Sequence, residues 1–378
     1  MLNKKILFIT GTRADFGKIS PLISKLQDDE EFDVHIFVTG MHLLEKYGYT
    51  FSEVQRTCGE AMTLFKNQPE NSQLSMDLIL AETIKGLNEC VTSYKPDLII
   101  VHGDRAEALA GAIVGSLNNI LTAHIEGGEL SGTIDELIRH SITKLAHVHF
   151  AANETAQKRL LQLGEASSSI SIIGSPDIDI MLSDDLPTLE KTYEHYEIDF
   201  DSFAIFCYHP VTTELAELEN HMRNIVQALE SSGDNYIVID SNNDPGREII
   251  ADALDPLRNN SRFRFYSSLN HGHYLTLLKN CMYLMGNTSS CVREAPVYAT
   301  PSINLGTRQN NRHKHSTIID AREDVDSILT AITIQKANSY GKPSFYFGSG
   351  GSAEKFIHYL NDPAFWECSV QKQFRDMD

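Results

Sequence analysis

The amino-acid sequence predicts an α/β protein made of two doubly wound domains, each with a parallel sheet. Short apolar, β-branched runs alternate with helix-like stretches through the first half of the chain, as in a parallel sheet. The alternation begins again after residue 180, and a chain of 378 residues is too long for one ordinary core. The expected domains are therefore residues 1–178 and 179–354.

The predicted strands are runs rich in Ile, Val, Leu and Phe that end in Gly, Asp, Asn or Ser. In the first domain they lie in KKILFIT, DVHIFVTG, DLIIVHGD, ILTAHIEGG, VHFAAN and SIIGSP. In the second domain they lie in FAIFCYHP, NYIVIDSNN, RFRFYSS, CMYLMGNTSS and PSINLGTR. The polar stretch between the two sets, LSDDLPTLEKTYEHYEIDFD, is the expected linker.

Composition and charge exclude several classes of protein. A net charge of −19 disfavours nucleic acid as a partner, because self-repulsion opposes the encounter with a long polyanion. The apolar runs are too short for a membrane span or a secretion signal, so a cytoplasmic protein is expected. The six cysteines are scattered without the spacing of a zinc site and are expected to be reduced.

The predicted strand ends carry a high density of polar groups. In an open parallel sheet, ligands bind beyond the carboxyl ends of the strands, where loops lead into helices. The segments at those ends read GTRADFGK, TGMHLL, HGDRAE, HIEGGE, YHPVTT, GNTSSCVRE and GTRQ. We therefore expect polar side chains from both domains to converge on one cleft.

Two neighbouring strand ends each carry a histidine followed two residues later by a carboxylate. The pairs are His102 with Asp104 and His124 with Glu126, and this spacing projects both members of a pair to the same side of a strand. The doubled pattern favours acid–base chemistry, because imidazole titrates near neutral pH and clustered carboxylates raise one another's pKa. A divalent metal site and ordinary structural histidines are the alternatives.

A helix is expected to begin near Thr133, directly after the Gly-Gly exit of the second of these strands. Thr133 and Glu136 fit a capping box. The apolar stripe that follows consists of Ile134, Leu137, Ile138, Ile142 and Leu145. Such a start points Asp135 and Glu136 toward the predicted cleft. The alternatives are that Glu136 only caps the helix and that Asp135 forms a surface ion pair with Arg139.

Three segments offer groups for phosphate oxygens. GTRADFGK lacks the middle glycine of a dinucleotide fingerprint, but Arg13 and Lys18 place cations beside a helix N-terminus. GNTSSCVRE supplies the hydroxyls of Ser289 and Ser290 at a helix start, with an ordinary serine N-cap as the alternative. Arg308, in NLGTRQ, adds a cation at the same edge.

Together these segments resemble the hydrolysing UDP-N-acetylglucosamine 2-epimerases of sialic-acid synthesis, in their bacterial stand-alone form. The motifs GTRADFGK, HGDR, HIEGGELSGTIDELIRHSITKLAH, HPVTT, GNTSSCVRE and TPSINLGTRQ follow the family's order over most of the chain. Non-hydrolysing relatives typically carry QGDT and EAGLRT, so HGDR and EGGELSGT favour the hydrolysing branch. The resemblance implies a GT-B fold, in which two Rossmann-like domains hold a UDP-sugar between them. It also implies a helix at about 355–378 that returns to the first domain.

The reaction implied by the resemblance is anti elimination of UDP to 2-acetamidoglucal, followed by hydration to N-acetylmannosamine. Departure of the diphosphate ahead of the C2 proton leaves positive charge at C1. Asp104, Glu126 and Asp135, with Glu136 as a further candidate, are expected to stabilise that charge and to move the proton. His209, in YHPVTT, is expected to act near the sugar phosphate as an acid or hydrogen-bond donor. No cofactor and no metal is expected.

The resemblance also implies roles for residues around this chemistry. His102 and His124 would assist the carboxylates, and Glu294 would hold the ribose. In SLNHGHYL, His271 or His273 would take the place of the aromatic residue that stacks on uracil in animal relatives. The full set of expected binding residues is Arg13, Lys18, Arg105, His42, Ser289, Ser290, Glu294, Arg308 and His271.

Several alternatives for the function stay open at the level of sequence. The nearest is the same reaction on UDP-2,4-diacetamido-2,4,6-trideoxyglucose, because discrimination at C4 and C6 depends on loops such as TGMHLLEKYGYT. A non-hydrolysing epimerase, a GT-B glycosyltransferase and a non-catalytic UDP-sugar sensor are the others. The resemblance further suggests a homodimer or a homotetramer.

Overall fold

A computed structural model describes residues 3–70, 74–241, 244–337 and 342–376 of the chain. These residues form two compact units. The first contains the described residues of 1–129, 134–182 and 346–378, and the second contains those of 130–133 and 183–345. The sequence places the boundary after residue 178, whereas the first unit continues to Leu182. The reason is a short helix at Asp177–Met181, which buries Ile178 and Met181 in that unit.

The first unit contains a parallel sheet with the strand order β3-β2-β1-β4-β5-β6-β7. Its strands are β1 (Lys4–Thr10), β2 (Phe32–Val38), β3 (Met62–Leu64), β4 (Leu98–His102), β5 (Leu121–Ile125), β6 (Val148–Ala151) and β7 (Ile170–Ile172). All except β3 overlap the predicted segments, although β2 and β7 each begin one residue earlier. Sequence reasoning missed β3 because it is a three-residue edge strand with Leu64 45% exposed, and it therefore lacks the long apolar run of a central strand.

Helices connect these strands and cover the two faces of the sheet. They are α1 (Arg13–Gln27), α2 (Phe51–Cys58), α3 (Met76–Tyr94), α4 (Ala106–Leu117), α5 (Ile134–Leu145), α6 (Glu154–Gln162) and α7 (Asp177–Met181). α5 begins where the sequence predicts a helix, but its apolar stripe is only partly buried. Ile138 and Ile142 pack into the core, whereas Ile134 and Leu137 are 41% and 66% exposed. The first turn of α5 therefore precedes the part of the helix that packs on the sheet.

The second unit contains a parallel sheet with the order β10-β9-β8-β11-β12-β13. Its strands are β8 (Ala204–Cys207), β9 (Tyr236–Ile239), β10 (Phe263–Tyr266), β11 (Leu284–Gly286), β12 (Ser302–Leu305) and β13 (Ile318–Ala321). Its helices are α8 (Leu189–Tyr196), α9 (Leu218–Ser232), α10 (Arg247–Leu254), α11 (His271–Asn280) and α12 (Val325–Ala337). The unpredicted strand, β13, is again an edge strand and only half-buried. Among the described residues, no helix of either unit is long and apolar enough to cross a membrane.

The stretch expected to be a linker is partly structured. α8 lies inside it, with Thr188 as its N-cap and Thr192 buried against α11. The helix was not predicted because the stretch has no stripe of aliphatic residues. One face of α8 is exposed, and the other carries Thr192 and the partly buried Tyr193 and Tyr196.

The C-terminal segment packs in the core of the first unit, where it forms two short helices in place of the single helix expected at about 355–378. These are α13 (Ser352–Leu360) and α14 (Pro363–Trp366). The break follows from Pro363, which has no N–H with which to continue the preceding helix, and from Asp362, which caps the new one. Farther along, the Lys372 ammonium donates to the carbonyls of Thr143 and Ala146 at 2.8 and 2.7 Å.

Replacing Phe356 with Ala is expected to lower the free energy of unfolding by about 3–5 kcal/mol, because the lost ring leaves a cavity. Phe356 is 0% exposed, and its ring centroid lies 4.9 Å from that of Phe150. Urea unfolding followed by the fluorescence of Trp366, the one tryptophan of the sequence, measures the change. Phe374→Ala is the control, since Phe374 is 89% exposed; equal losses in the two variants would contradict the assignment of Phe356 to the core.

The strand orders locate the positions where each unit can bind a ligand. The direction of winding reverses between β1 and β4 in the first sheet and between β8 and β11 in the second. At such a switch point the adjacent loops separate and leave a crevice at the carboxyl ends of the strands. The motifs that follow these four strands therefore lie where each sheet is open to a ligand.

Candidate active site

A carboxylate cluster lies at the carboxyl ends of β4 and β5 in the first unit. We use this name for His102, Asp104, Glu126, Arg139 and Ser175. His102 is the last residue of β4, and its Nε2 lies 3.3 Å from Oε2 of Glu126, the residue that follows β5. Both side chains are buried. The structure thus brings together one histidine and one carboxylate that the sequence predicted as members of two different pairs.

The backbone of Glu126 has the left-handed conformation, with φ at +64°. This conformation costs a residue with a side chain about 1–2 kcal/mol. Two hydrogen bonds hold it: the Glu126 N–H donates to the Phe150 carbonyl at 3.0 Å, and Nη1 of Arg139 donates to the Glu126 carbonyl at 2.7 Å. Its Oε1 accepts a hydrogen bond from the hydroxyl of Ser175. A residue in a disfavoured conformation with this many supports is typical of a functional site.

One guanidinium group connects the two strand ends. Arg139 donates through Nη2 to Oδ2 of Asp104 and through Nη1 to the carbonyl of Glu126. It is 3% exposed, so it is a buried residue of the cluster and not the surface residue that its spacing to Asp135 allowed. Sequence reasoning missed this role. The available signal was helical phase, because Arg139 falls on the same face of α5 as the buried Ile142.

His124 lies below the cluster and contacts the loop that carries Asp104. Its Nε2–H donates to the carbonyl of Gly103 at 2.8 Å, and its Nδ1 lies 3.4 Å from the hydroxyl of Thr143. The ring is 0% exposed, and burial lowers the pKa of His124 to about 3, so the imidazole is neutral. His124 therefore supports the Asp104 loop, in contrast to the expected role beside Glu126. In an extended strand, residues two apart point to the same side, which would have placed His124 beside Glu126. This does not hold here because the backbone of Glu126 is left-handed and not extended.

Asp135 and Glu136 lie in the first turn of α5, and both are half-buried. Oε1 of Glu136 is 3.9 Å from Nε2 of His140, one turn later. Burial lowers the pKa of His140. Carboxylates in the first turn also interact favourably with the helix dipole. The structure thus places both residues on the element that carries Arg139.

The loop after β1 has its own carboxylate. Thr12 caps α1, and its side chain accepts a hydrogen bond from the N–H of Asp15 at 3.2 Å. The Asp15 carboxylate accepts from the N–H groups of Gly11 and Thr12 at 3.1 and 3.2 Å. These backbone donors therefore bind a side chain of the chain itself, at the place where the sequence suggested phosphate.

The two cations of this motif each face a carboxylate. Nη2 of Arg13 lies 2.5 Å from Oε1 of Glu53, and Nζ of Lys18 lies 3.5 Å from Oδ2 of Asp177. Asp177 is 1% exposed. Arg13 and Lys18 are thus oriented by neighbouring acidic residues in the same unit.

His42 supports this loop through both nitrogens of its ring. Nε2 lies 3.0 Å from the hydroxyl of Thr10, and Nδ1 lies 2.8 Å from the hydroxyl of Thr50. The side chain is fully buried, and desolvation lowers the pKa of His42. The structure therefore uses His42 to connect the end of β1 to the start of α2, whereas the sequence suggested a contact with the ligand.

Glu107 is a buried carboxylate at the first switch point that sequence reasoning missed. Its Oε2 lies 3.3 Å from Nε of Arg105, and it is 4% exposed. The carboxylate fills space that two glycines leave open. A Cβ on Gly11 would lie 2.8 Å from Cδ of Glu107, and one on Gly40 would lie 2.7 Å from Oε1. The available signal was a carboxylate two residues after HGDR, in the first turn of α4.

In the second unit, the end of β8 is joined to the end of β11 through one asparagine side chain. The N–H of His209 donates to Oδ1 of Asn287 at 2.7 Å, and Nδ2 of Asn287 donates to the carbonyl of His209 at 2.8 Å. Asn287 is 0% exposed. Nε2 of His209 lies 3.5 Å from Sγ of Cys207, and burial raises the pKa of that thiol to about 12. Both backbone groups of His209 are therefore held at the second switch point.

Asn287→Ala is expected to reduce kcat at least about tenfold, because it leaves both backbone groups of His209 without these partners. The purified variant is assayed for release of UDP from UDP-N-acetylglucosamine, the substrate that the sequence resemblance implies. Asn280→Ala is the matched control, since the side chain of Asn280 makes a hydrogen bond to Thr276 within its own helix. Equal kcat values for the two variants would show that Asn287 does not position His209.

The predicted helix start at Ser289 and Ser290 is a short 3-10 turn, Ser289–Cys291. Thr288 caps this turn by accepting a hydrogen bond from the N–H of Ser290. A second 3-10 turn follows at Ala295–Tyr298. Pro296 explains the interruption, because it cannot donate the backbone hydrogen bond of a continuous helix. Ser289 and Ser290 therefore do not lie at the N-terminus of a long helix, and a helix macrodipole does not contribute to anion binding at this segment.

The other predicted residues of the second unit lie around the same switch point or on the neighbouring helices. Glu294 is 3% exposed. Arg308 donates through Nη1 to the carbonyl of Asn287 at 3.3 Å.

His273 stacks on His195 with ring centroids 4.8 Å apart, and its Nδ1 lies 2.8 Å from the hydroxyl of Thr192. His271 is the first residue of α11 and is half-buried.

The carboxylate cluster has the groups needed for proton transfer and for stabilising positive charge. An imidazole faces one carboxylate, and a guanidinium orients the other. Within the described ranges, no group of three or more His, Cys, Asp or Glu side chains is arranged to hold a metal ion.

Comparison with known sequences identifies the family. A family model for UDP-N-acetylglucosamine 2-epimerase matches residues 24–361. The chain belongs to the UDP-N-acetylglucosamine 2-epimerase family. A UDP-N-acetylglucosamine 2-epimerase of Neisseria meningitidis serogroup B is 43% identical over 99% of this chain and 100% of its own length. A UDP-N,N'-diacetylbacillosamine 2-epimerase (hydrolyzing) of Legionella pneumophila is 32% identical over 94% of this chain and 95% of its own.

Solved structures of the epimerase family have the same fold. An epimerase from Neisseria meningitidis bound to UDP-GlcNAc matches with a TM-score of 0.76 at 18% identity, covering 94% of this chain and 99% of that one. One from Methanocaldococcus jannaschii, in complex with UDP-GlcNAc and UDP, matches with a TM-score of 0.79 at 21% identity and the same coverage. The predicted GT-B fold class with two Rossmann-like domains is thereby confirmed, and the protein is an enzyme of the epimerase family.

Proposed function

We propose that this enzyme is a hydrolysing UDP-N-acetylglucosamine 2-epimerase, which converts its substrate and water into UDP and N-acetylmannosamine, the first step of sialic-acid synthesis. The observation that carries the proposal is the carboxylate cluster, in which Glu126 faces the imidazole of His102 and Asp104 faces the guanidinium of Arg139. The motifs HGDR and EGGELSGT and the hydrolysing activity named for the Legionella relative support the hydrolysing branch.

The first step is an elimination that begins at C1. The C1–O bond to the diphosphate breaks, and its electron pair leaves with UDP. Positive charge then develops at C1, and the carboxylate of Asp104, oriented by Arg139, stabilises it. Glu126 takes the C2 proton, and the electron pair of the C2–H bond forms the double bond of 2-acetamidoglucal. His102, whose Nε2 lies 3.3 Å from Oε2 of Glu126, exchanges this proton with the Glu126 carboxyl group.

The second step is hydration of the glycal. A proton is added at C2 on the face that gives the manno configuration, and water adds at C1 with loss of its own proton. Asp135 and Glu136, in the first turn of α5, are the further acidic candidates for activating that water. Free N-acetylmannosamine is then released.

The second unit and the loop after β1 are proposed to hold UDP. His209, positioned by Asn287, donates to the leaving phosphate oxygen. The other proposed contacts to the diphosphate and the nucleoside are those of Arg13, Lys18, Arg105, Ser289, Ser290, Glu294, Arg308 and His271. Arginine and lysine suit this role because charge-assisted hydrogen bonds to phosphate are strong.

The proposal is tested by NMR of UDP-N-acetylglucosamine incubated with the enzyme in heavy water. The expected products are UDP and N-acetylmannosamine with deuterium at C2, because the C2 proton is lost and replaced from solvent. UDP-N-acetylmannosamine as the product would instead indicate the non-hydrolysing reaction. An unchanged sample would exclude this substrate.

A second candidate is the same reaction on a UDP-diacetamido-trideoxy sugar. This candidate is supported by the Legionella relative, which is named for a UDP-N,N'-diacetylbacillosamine substrate and is 32% identical over 94% of the chain. Both UDP-sugars are therefore compared under the same conditions, and the higher kcat/KM decides between them. A ratio above about a hundred assigns the substrate, since recognition of one polar substituent is commonly worth that much or more.

We also propose that the enzyme works in the cytoplasm. All six cysteines lie within the described residues and are free thiols. Free thiols in this number fit a reducing compartment. Assembly as a homodimer or homotetramer stays a prediction from the family resemblance.

A further inference from the structure

Each oxygen of the Glu126 carboxylate has its own neighbour. Oε2 lies 3.3 Å from the ring of His102, and Oε1 accepts the hydrogen bond of the Ser175 hydroxyl. Ser175 follows β7 by three positions and is 0% exposed. Because the two oxygens face different partners, the orientation of the Glu126 carboxylate is held between the Ser175 hydroxyl and the imidazole of His102.

Ser175 is itself held by the segment through which the chain returns to the first unit. Its N–H donates to the carbonyl of Phe347 at 2.7 Å. Its carbonyl accepts from the hydroxyl of Ser352 at 3.3 Å. Both backbone groups of Ser175 are thus bonded to residues of one segment, Phe347–Ser352, which we call the return segment.

Two glycines allow the backbones of these segments to touch. Gly348 has φ at +141°, and a Cβ there would lie 3.1 Å from the nitrogen of Ser175. Gly174 has φ at +90°, and a Cβ there would lie 2.9 Å from Oγ of Ser352. A side chain at either position would therefore push the return segment away from Ser175.

We propose that Ser175 is a positioning residue for Glu126 and that the return segment holds Ser175 in place. The proposal rests on the proposed function in one respect, that Glu126 moves the C2 proton. The hydroxyl of Ser175 stabilises the ionised carboxylate and, by holding one of its oxygens, keeps the other beside His102. The return segment keeps that hydroxyl within reach of Glu126.

The first test is Ser175→Ala. Loss of a donor to a carboxylate favours its protonated form, and the base must be ionised to accept the C2 proton. The acid limb of the pH profile of kcat is therefore expected to move upward by about one pH unit. At neutral pH, kcat should fall by up to about tenfold, the largest decrease in the ionised fraction that a shift of one pH unit gives, with KM changed less than about threefold. An unchanged acid limb would overturn the role of Ser175.

The second test uses a matched pair of glycines in the return segment. Gly350 also has a positive φ, at +88°, but a Cβ there would meet only Cδ1 of Leu182 at 3.6 Å, an ordinary contact. Gly348→Ala and Gly350→Ala therefore both place a side chain on a backbone of positive φ, and only the first presses on Ser175. Gly348→Ala is expected to reproduce the kcat loss and the shifted acid limb of Ser175→Ala. Gly350→Ala should stay within about twofold of the unsubstituted enzyme with its pH profile unchanged.

Thermal unfolding of both glycine variants shows whether each is folded at the assay temperature. Equal pH profiles for the two variants would overturn the role of the return segment. So would a Gly348→Ala enzyme that keeps the unsubstituted profile.

A third measurement is independent of turnover. The protein is labelled with ¹³C at the glutamate side-chain carboxyls, and the Glu126 resonance is assigned from its loss in Glu126→Gln. Its titration midpoint is expected to rise in Ser175→Ala and Gly348→Ala but not in Gly350→Ala. A raised midpoint in an enzyme that turns over neither UDP-sugar supports Ser175 and rejects only the proposed function. An unshifted midpoint in Ser175→Ala rejects the inference itself, whatever the substrate.

Discussion

Replacing Glu126 with Gln, or Asp104 with Asn, is expected to reduce kcat at least about a hundredfold, with the Kd for UDP changed less than several-fold. Gln cannot accept the C2 proton, and it presents a neutral group to His102, which lies 3.3 Å from Glu126. Asn cannot neutralise positive charge at C1 and leaves the buried guanidinium of Arg139 without its carboxylate. Steady-state release of UDP measures kcat, and calorimetric titration with UDP measures Kd.

Glu154→Gln is the matched control for the glutamate variant. Glu154 is exposed, lies in the first turn of α6 and undergoes the same chemical change. Its kcat should stay within about twofold of the unsubstituted enzyme. Near-normal turnover in Glu126→Gln and Asp104→Asn would remove both carboxylates from the mechanism, and with them the observation that carries the proposed function.

Arg139→Met is expected to affect stability and catalysis together. Methionine has a similar reach but no charge, so Asp104 loses the guanidinium and the carbonyl of Glu126 loses the donor at 2.7 Å. Removing one member of a buried ion pair costs about 3 kcal/mol of unfolding free energy or more, and the loss here should not exceed about 3 kcal/mol because the Asp104 side chain is 21% exposed. The loss of kcat should reach about a hundredfold, because both carboxylates lose part of their support. Urea unfolding and the UDP-release assay measure the two effects.

Arg139→Lys separates charge from geometry. A lysine restores the positive charge beside Asp104, but its single ammonium lacks the planar fork that reaches two acceptors at once. Stability should therefore recover more fully than kcat does. A lysine enzyme with full turnover would mean that charge alone is needed and that the contact to the Glu126 carbonyl is dispensable.

The fold class and the location of the polar motifs could be predicted from the sequence. Parallel sheets are covered on both faces, so their central strands appear as short continuous apolar runs, and eleven such segments are recognisable in the sequence. The motifs after these runs lie at the carboxyl ends of the strands for topological reasons alone. The edge strands β3 and β13 were not predicted, since they are only partly buried and carry no such run.

Which polar residues meet depends on the tertiary structure. His124 and His102 have the same spacing to a carboxylate, yet one lies under the Gly103 loop and the other faces Glu126. Ser175 and Ser352 lie 177 positions apart in the sequence but are joined by a hydrogen bond in the structure. Local patterns record the period of a helix or a strand. They do not record side-chain contacts between elements that are distant in the sequence, and for this reason the supports of Glu126 became visible only in the folded chain.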